Sequence, residues 1–216
     1  TAVGGDVWNG VGVPGPPSHT TAVALAADTD DNQHSRNNAT YATVVGGGGT
    51  YVLNSDGTTV LVCTRGFYSP NHWVEVFVLR FDTGTAIAAA LGPGETFVEC
   101  LRATFRYNVP TTGSDGDGRN VVADWIADPG AADSTDWAAS VTGTALNEDL
   151  TTLNVAGDGE RDLWSPNSVN AAGWTGLRFG ISGGQPTNAN HWRIAAREHA
   201  TGRPPELELE FQYATA

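Results

Sequence analysis

From Glu206 to Tyr213 the chain alternates without a break, with Leu207, Leu209, Phe211 and Tyr213 on one side and Glu206, Glu208, Glu210 and Gln212 on the other. A period of two sends successive side chains to opposite faces of an extended backbone, so the segment predicts a β-strand with one apolar and one wet face. Such a strand needs neighbours to pair with and a second layer to cover its apolar side. Short apolar runs recur at 21–26, 41–45, 50–53, 58–64, 73–81, 96–107, 120–126, 177–181 and 192–196. Between them stand Gly46 to Gly49, Asn54-Ser55-Asp56-Gly57, Gly113 to Gly118 and Ser182-Gly183-Gly184, residue types that tolerate the backbone of tight turns. About ten strands at this spacing predict an all-β fold, a two-sheet antiparallel β-sandwich.

Helix is expected to be minor, at 136–140 and in the Ala-rich stretch 85–91 that Gly92-Pro93-Gly94 would stop. Residues 142–168 show little periodicity and are expected to form a long, decorated connection. Residues 1–19 hold too much Gly and Pro for a helix or a central strand and read as an extended N-terminal arm, leaving 20–216 as the sandwich domain. Trp8 is the arm's one sizeable apolar residue, placed to anchor on a partner or to pack on its own domain. At 216 residues and 22.6 kDa the chain fits one domain with a real core. Thr1 to Pro17 shows neither the basic nor the apolar region of a signal peptide, and no segment has the apolar length of a membrane span.

Eleven cations against 24 acids give a net charge of −13, and all the cations are scattered arginines. A nucleic-acid binder neutralises phosphates with clustered basic side chains, so no nucleic-acid partner is expected and the acidic surface reads as a solvated one. Cys63 and Cys100 lie in separate strand-like runs and either form a disulfide across neighbouring strands or remain buried thiols.

Several literal motifs fail on context. Gly10 to Gly15 matches G-x-G-x-x-G, but Pro14, Pro16 and Pro17 forbid the helix that would receive a phosphate. Gly180 to Gly184 matches G-x-S-x-G, yet Gln185-Pro186-Thr187-Asn188 follows where a nucleophile elbow needs a helix. Asp28, Asp30 and Asp31 begin like a calcium loop, although Gln33 replaces its Gly and Ala39 its bidentate Glu. A different oxygen-rich site for a structural calcium ion stays open there, against a solvated acidic turn, and Asp115, Asp117, Asp158, Glu160 and Asp162 admit the same two readings. The Cys and His spacings match no zinc site.

Aromatic side chains carry the stronger signal. Phe67, Tyr68, His72 and Trp73 crowd around Ser69-Pro70-Asn71, and Asn71-His72-Trp73 is echoed by Asn190-His191-Trp192. Rings beside amide groups in a loop suit the faces and hydroxyls of sugars, so Tyr68, His72, Trp73, His191 and Trp192 are the candidate glycan-binding residues. In the other reading, Trp73 and Trp192 begin strands and bury their indoles in the core.

Val76-Phe77-Val78-Leu79-Arg80-Phe81-Asp82-Thr83, followed by Ile87, Gly92-Pro93-Gly94-Glu95-Thr96 and the run 99–107, resembles the core of DNRLRE-type β-sandwich modules. Ala195-Ala196-Arg197-Glu198-His199-Ala200 with Arg203-Pro204-Pro205-Glu206-Leu207 resembles their closing motif, and Val122 to Trp125 and Gly173 to Phe179 fall between in order. The resemblance implies a jelly-roll sandwich, similar to carbohydrate-binding modules, in a non-enzymatic virion protein of a phage tail, fibre or capsid decoration. Such a protein would stand on the virion surface, joined through its arm to other virion proteins within a homo-oligomer or larger assembly, and would stabilise the particle or contact host-surface glycans. The alternatives are a glycan-binding module of a secreted or cell-surface protein and a carbohydrate-active hydrolase. The shared Arg80, Asp82, Arg197 and Glu198 fit ion pairs that pin strand ends better than they fit a catalytic set.

Overall fold

The computed structural model describes residues 17–25, 31–54, 59–127, 130 and 135–215. In chain order the strands are β1 (Ser18–Ala24), β2 (Asp31–Asn38), β3 (Thr50–Asn54), β4 (Val60–Tyr68), β5 (Asn71–Phe81), β6 (Glu95–Val109) and β7 (Ser114–Asp115). They continue as β8 (Asn120–Ile126), β9 (Val141–Asp149), β10 (Gly157–Asp162), β11 (Thr175–Ile181), β12 (Asn190–Ala195) and β13 (Glu206–Thr215). Three short helices interrupt them, α1 (Tyr41–Val45), α2 (Thr83–Ala90) and α3 (Leu150–Leu153).

All pairings are antiparallel and fall into two sheets. The smaller runs β1-β13-β6-β10, and the larger runs β7-β12-β4-β5-β11-β8-β9 with β2 and β3 joined at β5. The closing strand β13 lies between β1 and β6, so both its edges are paired. Leu207, Leu209 and Phe211 are fully buried, as the alternation predicts. On the wet face Arg106 holds Glu208 at 2.7 Å and Glu206 and Glu160 at 3.4 Å, which offsets the crowding of acids there. Between the sheets, Phe105 and Tyr107 of β6 pack on Phe179 and Trp192 of the larger sheet, with ring centroids 4.9 and 5.1 Å apart.

Five sequence expectations are corrected. Residues 41–45 form helix α1 in place of a strand, with Val44 as its buried residue and the Thr43 and Gly46 N–H groups closing its turns on the Thr40 and Ala42 carbonyls at 3.1 Å. Residues 142–168 hold most of β9, all of α3 and β10, and a turn of 3₁₀-helix at Pro166–Ser168. Strand β10, Gly-Asp-Gly-Glu-Arg-Asp, has no apolar residue to reveal it. A Cβ on its Gly159 would lie 2.6 Å from the Tyr107 ring, so the missing side chain is what lets the aromatic ring close over the strand. Helix at 136–140 shrinks to a 3₁₀ turn at Asp136–Ala138. The sandwich begins before residue 20, since Ser18 and His19 belong to β1, where His19 stacks on Tyr213 at 4.3 Å and bonds Glu95 at 2.7 Å. Residues 1–16, with Trp8, lie outside the described residues.

The fifth correction is β2. Asp-Asn-Gln-His-Ser-Arg-Asn-Asn shows no apolar alternation, yet it runs along β5 from Leu79 to His72, with Asp31 to Ser35 buried. Backbone pairing on both sides and side-chain partners make that burial tolerable. His34 bonds the Tyr51 hydroxyl at 2.8 Å and the Asn32 amide oxygen, and the Gln33 amide oxygen accepts the Val62 N–H at 3.0 Å.

Cys63 belongs to the larger sheet and Cys100 to the smaller, and both are buried free thiols. Burial disfavours the thiolate, pushing Cys100 up to about 11 and Cys63 further still. No described helix is long and apolar enough to cross a membrane.

Candidate functional site

Strand pairing builds a cleft on the larger sheet. His191 of β12 stands opposite Thr64 of β4, Thr64 opposite Glu75 of β5, and Glu75 opposite Ser35 of β2, so one row of residues crosses four strands. Arg193 and Val62 form the adjacent pair, and Trp73 follows two residues before Glu75 on its strand. Cross-strand partners project to the same face, which is why these positions converge from distant parts of the sequence. With Gln33 and Tyr68 they enclose an open cleft of about 440 Å³.

The cleft combines ring faces with hydrogen-bonding groups. Trp73 is half-buried and Tyr68 is 43% exposed, so both have surface to offer. The Tyr68 hydroxyl shares a 3.3 Å hydrogen bond with His191 Nδ1. Burial holds His191 below the usual imidazole range and the nearby Arg193 charge adds to this, so the ring is neutral at neutral pH. Burial raises the Tyr68 phenol, helped by the Glu75 charge. Glu75 receives the Thr64 hydroxyl, yet burial prevails over that bond and over the Arg193 charge and lifts its carboxyl above the usual range.

Three of the five candidates for glycan contact, Tyr68, Trp73 and His191, therefore line one cleft. His72 faces the other side of β5, as the neighbour of Trp73 must. There it meets Phe67 at 4.8 Å, Tyr41 at 5.5 Å and the Gln185 amide at 3.3 Å, beside a smaller hollow of about 260 Å³. Trp192 is corrected outright. It is fully buried between the sheets and its indole N–H donates to the Leu153 carbonyl at 3.2 Å, so no sugar reaches it. Sequence reading missed Gln33, Val62, Thr64, Glu75 and Arg193. Glu75 had a signal, as the one carboxylate inside the apolar run 73–81.

The described residues of the other expected sites make contacts within the fold. Asp31 is buried and accepts the Arg197 N–H at 2.9 Å, while desolvation raises its carboxyl to about 6. Asp28 and Asp30 lie outside the described residues. Among the described residues no three His, Cys, Asp or Glu side chains gather as a metal site. Asp117 accepts from Thr187, Asn188 and Asn190 side chains at 2.7 to 2.8 Å and from the Thr187 N–H at 3.1 Å, tying the acidic loop to the β11–β12 connection. Burial opposes its ionisation, but these donors prevail and hold its carboxyl well below the usual range. Ser182 Oγ accepts the Asn120 N–H at 3.2 Å, and no helix follows it.

Arg197 and Glu198 stand 3.6 Å apart at the end of β12. Arg80 lies over the Trp174 ring at 3.9 Å, and Asp82 caps α2 by accepting the Thr85 N–H at 3.1 Å. These last two contacts are ones the ion-pair expectation did not foresee. Neither protein-family models nor curated protein sequences match the chain.

Proposed function

We propose that this protein is a non-enzymatic surface module, a sandwich of jelly-roll type that presents the Tyr68–Trp73–His191 cleft to a saccharide. The observation that carries the reading is the convergence of the exposed Tyr68 and half-buried Trp73 rings with Gln33, Thr64, His191 and Arg193 in one open cleft. Apolar ring faces stack on the C–H faces of sugars, and the polar groups around them match sugar hydroxyls. Glu75 is the sole carboxylate among the lining residues, whereas most glycoside hydrolases set two across the scissile bond, which favours binding over turnover. The ordered resemblance running from Val76 to Leu207 supplies the setting, a virion surface with the N-terminal segment as the attachment to a larger assembly. A secreted or cell-surface module is the second reading, and the same cleft supports it.

The test is a glycan array probed with the full chain and with Trp73→Ala. Wild type is expected to bind, and the variant to lose binding at least tenfold while keeping its melting temperature within a few degrees, because Trp73 is only half-buried. A folded wild-type protein that leaves the whole array blank would overturn the reading.

A further inference from the structure

We propose that the cleft recognises an acidic sugar, one carrying a carboxylate on its ring, with Arg193 as the carboxylate's partner and Trp73 beneath the ring. This rests on the saccharide reading above and narrows it to a ligand class.

The argument starts from how the arginines are used. The chain has 11 cations, all arginine and all within the described residues. Seven pair with carboxylates. Arg36 lies over Tyr51 and Trp137, Arg80 over Trp174, and Arg65 donates to the carbonyls of Ile181 and Gly183 at 2.7 Å. Arg193 is the remaining one. Among the described residues it makes no hydrogen bond, ion pair or ring contact, and it lines the cleft. In a chain of net charge −13, an uncommitted guanidinium amid so many acids is unexpected unless its partner comes from outside.

The surroundings restrict what that partner is. A guanidinium presents a planar fork that matches a carboxylate with two parallel N–H···O bonds. Glu75, the cleft's own carboxylate, receives the Thr64 hydroxyl and forms no salt bridge with Arg193, whose charge acts on it only through space and leaves the guanidinium N–H groups open. The neighbouring His191 is tied to the Tyr68 hydroxyl and does not compete for an anion as a second cation. One fork and no second positive group suit a single planar charge on a ring better than a phosphate, which usually draws several cations.

Isothermal titration would compare oligogalacturonate with a neutral galactose oligomer of equal length and its 6-sulfated form, at about 0.15 M salt so that long-range repulsion by the acidic surface is screened. Wild type is expected to prefer the uronate at least tenfold over the neutral oligomer and severalfold over the sulfated one. Arg193→Gln should abolish the preference, and Arg193→Lys, which keeps charge and loses the fork, should restore only part of it. A matching panel of glucuronates and sialylated oligosaccharides with their neutral parents covers other carboxylated sugars. Equal affinity for neutral and acidic members, unmoved by Arg193→Gln, would overturn this inference and leave the saccharide reading standing. Preference for the sulfated form would also overturn it. A folded protein that binds no member of either panel would overturn this inference, and one that also leaves the glycan array blank would remove both.

Discussion

Asp31 takes on a structural contact that its sequence neighbours do not announce. It follows Asp28 and Asp30 in the chain, and in the fold its carboxylate is buried and receives the Arg197 N–H, joining the start of β2 to the end of β12. Desolvation outweighs that bond and lifts its folded-state value from 3.8 to about 6. A raised acid favours the folded state below the unfolded value, and the benefit is lost as pH rises through the folded one. Stability should therefore fall across the window from 3.8 to about 6. Asp31→Asn keeps an acceptor for the N–H and removes the charge, so its melting temperature relative to wild type should rise between pH 4 and pH 7. A difference that stays flat with pH would show that Asp31 does not titrate in this window. Trp73 and Trp192 make the complementary point. They share the motif Asn-His-Trp, yet one lines a cleft and the other the core. Which face of its strand meets the second sheet is not written in three residues.

Among elements, strands with apolar alternation were legible and strands without it were not. β13, β5 and β6 appear in the sequence within a few residues of their true ends, because their buried faces are Leu, Phe, Val and Tyr. β2 is invisible because its partners, from β5 to Tyr51 and Val62, arrive from other parts of the chain. The acidic loop is a similar case. Its aspartates suggest a metal, whereas Asp117 is filled by donors from 187–190, and its side chain is 13% exposed. Asp117→Ala would leave several of those donors without an acceptor and should cost about 1–3 kcal/mol at neutral pH. Its lowered carboxyl makes the contribution present above the unfolded value and lost as pH falls through the folded one, so the variant's deficit should shrink in acid. Denaturant melts would measure the cost. Hydrogen exchange should show 113–118 and 185–190 losing protection ahead of the core strands, and uniform loss would argue against a local latch.

For the molecule as a whole, the two sheets share one core, and Trp192 meets three of its aromatic members, Tyr107 at 5.1 Å, Phe179 at 5.9 Å and Phe77 at 6.0 Å. Trp192→Ala should cost about 3–5 kcal/mol by leaving a cavity and an unpaired Leu153 carbonyl. Trp73→Ala should cost far less, and equal losses for the two would contradict their placement. The sequence by itself determined that the chain is all-β and that its last strand has one buried face, since alternation is a local property that any folded state must satisfy. The tertiary structure alone decided which polar residues go inside and which aromatics stay out. Burial of Asp31 and His34, saturation of Asp117 and the open position of Arg193 depend on partners drawn from separate strands. The cleft itself follows from cross-strand register, a relation between β12, β4, β5 and β2 that has no counterpart in any one stretch of sequence.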